Sequence, residues 1–173
     1  MIIDKKLEDA INQQINAEFF SSYLYLSMAS YFDSKSFKGF SNWMKVQAQE
    51  EMVHAMKFYQ FVFDRGGKVE LKKIDQPTTN WSSPLAAFEE AYQHEQKVTA
   101  LIHGLVKLAR ENNDYSTEVF LQWFVSEQIE EEASASEIIE QLKRIGEQGN
   151  ALFMIDKELA ARVFTPPAAG SAT

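Results

Sequence analysis

Apolar residues recur at intervals of three and four along most of the chain, the period of amphipathic helices rather than of strands. The first stripe runs over about Lys5 to Asp33 and carries Leu7, Ile11, Ile15, Ser22, Tyr25, Ala29 and Phe32 on one face. The second, over about Phe37 to Arg65, places Phe40, Met44, Gln47, Phe58 and Phe61 inward and stops at Gly66-Gly67, a helix C-terminal signal. The third opens with Ser83 as N-cap and Pro84 at the first helical position, then keeps Phe88, Tyr92, Thr99, Ile102, Val106 and Ala109 in register to about Glu111. The fourth follows Asp114 as cap and runs from Tyr115 to Ile145, with Phe120, Phe124, Ala135, Ile138 and Leu142 inward. Gly146 and Gly149 end it. A short fifth helix, Ala151 to about Val163, carries Leu152, Phe153, Met154, Ile155 and Leu159, more apolar surface than a solvated appendage shows, so it is expected to pack against the bundle or another subunit. Between the second and third stripes, Lys68 to Ser82 is polar, holds Pro77, and is too long for a tight turn; it predicts a crossover along the bundle's length. The expected architecture is all-α: a four-helix bundle with one long crossover and a fifth helix, as one domain over 1–164, followed by a loose tail over 165–173.

Each long stripe has a gap, and the gaps are acidic. They hold Glu18, Glu51 with His54, Glu95, and Glu127 with Glu131. The helix midpoints fall near residues 19, 51, 98 and 130, so in a bundle of helices about 42 Å long the gaps share one level, about 20 Å from either end. Isolated carboxylates there would cost several kcal/mol each unless protonated or paired, and the stripes offer no Lys or Arg at that height. A multivalent cation resolves the conflict. The spacings agree: Glu51-Met-Val-His54 puts a carboxylate and an imidazole one turn apart on one face, and Gln128-Ile-Glu-Glu131 does the same with an amide and a carboxylate. One Glu from each of two helices with Glu-x-x-His pairs from the others is the donor set of dimetal bundles, here with one pair complete and Gln-x-x-Glu in place of the second.

Composition narrows the metal and the partners. The 173 residues contain no cysteine, which removes disulfides, thiolate catalysis, iron–sulfur clusters and Cys-based zinc sites. Carboxylate-rich coordination with a single His suits iron or manganese, and iron adds redox chemistry. Glu50, Glu127 and Glu130 flank the pair as acids in excess of what two metals need, a place for a third cation. Tyr25, seven residues after Glu18 and on the same face, is a candidate hydrogen-bond donor to a ligand. Trp123, one turn before Glu127, is a weaker candidate as an electron donor, while Met28, Met44, Met52 and Met56 are read as core filler, and His94 and His103 as structural. The 25 acids against 17 bases give a net charge of −8, which repels nucleic acid and anionic lipid and draws in cations. The charged start and the lack of any apolar run long enough to span a bilayer predict a cytoplasmic protein with no membrane partner.

The stretches Ala17-Glu-Phe-Phe-Ser-Ser-Tyr-Leu-Tyr25, Asn42-Trp-Met-Lys-Val-Gln-Ala-Gln-Glu-Glu-Met-Val-His54, Ala91-Tyr-Gln-His-Glu95 and Phe120-Leu-Gln-Trp-Phe-Val-Ser-Glu-Gln-Ile-Glu-Glu-Glu-Ala133 together resemble the ferritins, most of all the non-haem ferritins of bacteria and archaea, nearly end to end. The resemblance implies a ferritin-like fold and a ferroxidase centre with Glu18, Glu51 and His54 on one iron, Glu51, Glu95 and Glu131 on the other, and Gln128 close by. It implies a third iron at Glu50, Glu127 and Glu130, and a 24-subunit shell enclosing mineral, with the fifth helix at the fourfold axes. Two features depart from related branches. Bacterioferritins have a second Glu-x-x-His where this chain has Glu127-Gln-Ile-Glu130, so haem is not expected. Animal ferritins place two acids in a threefold channel, where this chain has Glu118 and Leu121.

The expected function is iron storage with ferroxidase activity, in which Fe(II) is oxidised by O2, or by H2O2, and kept as Fe(III) oxyhydroxide. Two rivals fit the same acids: a small di-iron oxidase or peroxide-detoxifying protein, and a non-catalytic helical interaction bundle whose buried acids are protonated.

Overall fold

The computed structural model describes residues 2–146 and 149–166. Five helices form in the order α1 (Lys5–Ser34), α2 (Lys38–Asp64), α3 (Pro84–Glu111), α4 (Tyr115–Ile145) and α5 (Gly149–Leu159). The caps expected from the sequence are in place: Ser83 accepts from the Ala86 amide, and Asp114 from that of Thr117. The last helix ends at Leu159, four residues short of the expected end. The expected tail lies outside the described residues from 167 onward.

α1 and α2 form one antiparallel hairpin, α3 and α4 the other. The connection between hairpins runs along α1, as the Lys68–Ser82 composition predicts. Asn12 of α1 holds its start, donating to the Lys68 carbonyl and accepting from the Glu70 amide at 2.9 and 2.8 Å. Ser27 holds its far part through the Thr78 carbonyl at 2.6 Å. Asn12 and Ser27 lie about 22 Å apart along the helix, a distance that residues 70 to 78 cross in extended form. Arg65 then ties the end of α2 to the start of α4 by a two-pronged ion pair with Asp114, at 3.0 and 2.9 Å.

The core is divided. One apolar cluster gathers Tyr25, Phe32, Phe40, Trp43, Phe88, Ile138 and Leu142 at one end of the bundle; the other gathers Leu7, Ile11, Ile15, Phe58, Val98, Ile102, Leu121 and Phe124 at the opposite end. Along all four helices the seam between the clusters falls at the acidic gaps of the sequence. Met28 and Met44 pack into the core as expected, but Met52 and Met56 do not: they are 44% and 46% exposed, on the outward turns beside Glu51 and His54.

α5 packs on its own chain, burying Ile155 and Leu159 against the first cluster and leaving Phe153 and Met154 exposed. The start of α2 has no side-chain cap of its own. Asp156 of α5 supplies one, accepting from the amides of Gly39 and Phe40 at 2.8 and 3.0 Å. The approach is so close that a Cβ on Gly39 would overlap the Asp156 carbonyl. No described helix is long and apolar enough to cross a membrane.

Candidate metal centre

The seam brings together Glu18 of α1, Glu51 and His54 of α2, Glu95 of α3, and Gln128 and Glu131 of α4, all buried. Two triplets of ligand atoms lie within 4.8 Å of one another: Glu18, Glu51 and His54, and His54, Glu127 and Glu131. His54 stands between them, its Nδ1 3.4 Å from Glu51 and its Nε2 4.0 Å from Glu127. Glu95 belongs to neither triplet, because its carboxylate is engaged elsewhere: Tyr25 donates a short hydrogen bond to one oxygen, and the Gln128 amide donates to the other at 3.2 Å. Glu50 and Glu127 lie half-buried at the rim, and Glu130 is exposed.

The electrostatics are those of too many acids in too little water. Burial pushes the Glu18 carboxyl well above the usual carboxylate range, and the neighbouring Glu51 pushes it further. Burial raises Glu51 and Glu131 in the same way, each reinforced by other acids of the ring. Glu95 is also raised by burial, against the lowering effect of the Tyr25 and Gln128 hydrogen bonds. At the rim, burial raises Glu50 and Glu127, opposed by Arg162 and His54 respectively. Glu18 is 1% exposed, and its Oε2 has no donor to satisfy it; the neighbouring Glu51 carboxyl satisfies it only when one of the two carries a proton. A cation between them serves both without the proton.

Amides orient the ring. Gln14 donates to Glu18 at 2.8 Å, and Gln47 donates to Glu51 at 3.2 Å and, by a shorter bond, to Glu131. These two are legible in the sequence: each Gln sits four residues before a buried Glu, the spacing that places two side chains on one face. The inward stripe that holds Gln47 suggests only packing for it, and the structure adds the hydrogen bonds. Thr99, also in a stripe, accepts from Gln128 at 3.3 Å and donates to Glu132 at 2.6 Å.

One expectation needs correction. The stripes hold no base at this level, yet Arg162, beyond the end of α5, brings one there, donating to Gln47 at 2.9 Å and to Glu50 at 2.5 Å. The helical periodicity does not point to it: the sequence places Arg162 near the end of the fifth helix, whereas α5 stops at Leu159 and the residue lies on the segment that folds back beyond it. Trp123 stands edge-on to His54 at 5.4 Å, with Lys57 Nζ 4.2 Å above its ring. His94 keeps a structural environment, its Nε2 2.8 Å from Ser21 Oγ, and burial lowers it to about 4. His103 is exposed.

A family model described as the ferritin-like domain matches residues 8–145. A bacterial non-heme ferritin of Bacteroides fragilis is 46% identical over 161 residues, covering 93% of this chain and all of its own. One of Staphylococcus aureus is 40% identical over 163 residues, covering 94% and 98%. Among solved structures, an engineered closed form of the Archaeoglobus fulgidus ferritin superposes with a TM-score of 0.93 at 58% identity, covering 94% of this chain and 99% of that one. The open-pore ferritin from the same archaeon superposes with a TM-score of 0.92 at 57% identity, covering 93% and 98%.

Proposed function

The chain belongs to the ferritin-like domain family, and from that premise we propose that it stores iron by oxidising Fe(II) at the acidic seam and depositing Fe(III) oxyhydroxide within an assembly of its own copies. The observation that carries the reading is the buried ring itself, with the Glu18 oxygen left without a donor. Glu18, Glu51 and His54 hold one Fe(II). Glu51, Glu95 and Glu131 hold the second, with Gln128 beside it, which requires Glu95 to be shared between the metal and its Tyr25 bond. Glu50, Glu127 and Glu130 take a third at the rim.

Iron is the substrate: two Fe(II) give up two electrons to one O2, which takes two protons and leaves as H2O2, and two Fe(III) remain. The chain's residues do the rest. Hard anionic oxygens accept both Fe(II) and Fe(III). Two-metal chemistry uses a separation of about 3.5–4 Å, and sharing Glu51 between the two positions would keep the pair that close. Gln14 and Gln47 keep lone pairs of Glu18, Glu51 and Glu131 turned toward the metals, as outer-shell donors do. Tyr25 holds Glu95 in place and carries a proton at the edge of the second position.

Self-association follows the ferritin relatives, and a shell of 24 subunits in the cytoplasm is part of this proposal. The test is aerobic addition of Fe(II) to the purified protein. Rapid growth of ferric absorbance, with far more than three irons kept per chain, supports storage. Oxidation no faster than in buffer contradicts it, and fast oxidation without retention favours the small di-iron oxidase instead.

A further inference from the structure

The segment after α5 is fastened to α2 over several turns. Asn42 donates to the carbonyls of Leu159 and Arg162, at 3.3 and 2.9 Å. From there the Arg162 guanidinium lies 4.4 Å over the Trp43 ring and splits its donors, one nitrogen to Gln47 Oε1 and the other to Glu50 Oε2. Donor chemistry gives this fork two effects. Gln47 accepts only at its oxygen, so the guanidinium fixes which way the amide points and leaves its NH2 to Glu51 and Glu131. Reversing the amide would turn its oxygen on two acids and its NH2 on a cation. Glu50 meanwhile has an oxygen committed to a charge already present in the fold.

We propose that Arg162 is a positioning residue and a tethered competitor for the third iron: it occupies Glu50 until an incoming cation displaces it, so the rim fills after the inner pair. This rests on the reading of Glu50, Glu127 and Glu130 as a third iron position. Exposure favours competition over a structural duty. Arg162 and Glu50 are 24% and 25% exposed, so water still reaches and partly screens the pair, and the need to displace the guanidinium is expected to weaken cation binding at Glu50 about fivefold. Asp156, Gly39 and Asn42 already dock α5 and the residues just beyond its end. Lys57 sits over Trp123 as a single point charge near Glu127; Arg162 differs by gripping Gln47 and Glu50 at once, with the Trp43 carbonyl accepting from it at 3.4 Å.

The test is anaerobic calorimetric titration of the assembled protein with Fe(II), and separately with redox-inert Zn(II). Arg162→Met keeps the stem on Trp43 and removes the charge; it is expected to bind the third cation about fivefold tighter and the inner two more weakly, because the Gln47 amide that orients Glu51 and Glu131 loses its anchor. Arg162→Lys keeps the charge and is expected to stay near the parent. Glu50→Gln should lose the third event in every background; if it removes none, the third-site reading fails and this proposal with it. A third constant unchanged in Arg162→Met, with the Glu50→Gln loss intact, overturns the role of Arg162 alone, and equal weakening of all three events marks a merely structural residue. The parent protein gives a second measurement independent of any variant. In crystals soaked with Zn(II), Arg162 should leave Glu50 as the third position fills; an Arg162–Glu50 pair intact at full occupancy overturns the proposal.

Discussion

At the scale of single residues, Glu18 shows the conflict that the fold leaves to a metal. A buried carboxylate with one oxygen unserved is a standing cost, and the amide of Gln14 relieves only the other oxygen. Glu18→Gln should therefore stabilise the metal-free protein by about 1–3 kcal/mol at neutral pH, by analogy with other neutralised buried charges, while weakening the first iron position severely. Denaturant unfolding and metal titration check the two halves. Tyr25→Phe should leave the bundle folded, at a cost of about 1 kcal/mol for the lost bond to Glu95, and slow iron oxidation by altering the second position. Stopped-flow absorbance on the variant reads the rate, and an unchanged rate would remove Tyr25 from the site.

At the scale of elements, α5 is held by geometry more than by greasy area. Gly39→Ala should drive α5 off α2, because no small adjustment clears an overlap with backbone. Limited proteolysis over 149–166 checks this, cleavage accelerating in the variant. Asp156→Ala should cost about 1 kcal/mol, the usual value of a lost helix cap. The four long helices are readable because period, Ser83-Pro84, Asp114 and Gly66-Gly67 all agree on the same boundaries. The acid ring is readable because polar residues interrupt four independent apolar stripes at one height. Arg162 and the Asp156 cap are not, since each depends on how a peripheral segment folds back, and no periodicity encodes that contact. Met52 and Met56 mislead for a related reason: hydrophobic identity marks core only where the helical phase also points inward, and theirs does not.

For the whole molecule, the raised carboxyls of Glu18, Glu51, Glu95 and Glu131 tie stability to pH. A carboxyl whose folded value lies above its unfolded one favours folding while protonated, and that advantage is lost as pH rises through the folded value. The metal-free protein should thus lose stability from mildly acidic toward alkaline pH, and the metal-loaded protein should not, because the cation replaces the protons. Loading should release protons, seen by calorimetry with Zn(II) in buffers of differing ionisation enthalpy. Sizing tests the shell: a particle many times the 19.8 kDa chain mass is expected, and a monomer contradicts it. The central claim, that four helices converge on an iron pair, is tested most directly by diffraction at the iron absorption edge from crystals soaked anaerobically in Fe(II). Two anomalous peaks are expected within the seam, one among Glu18, Glu51 and His54 and one among Glu51, Glu95 and Glu131, with a third at the rim once the pair is filled. An empty seam, or iron bound only on the surface, would contradict the account.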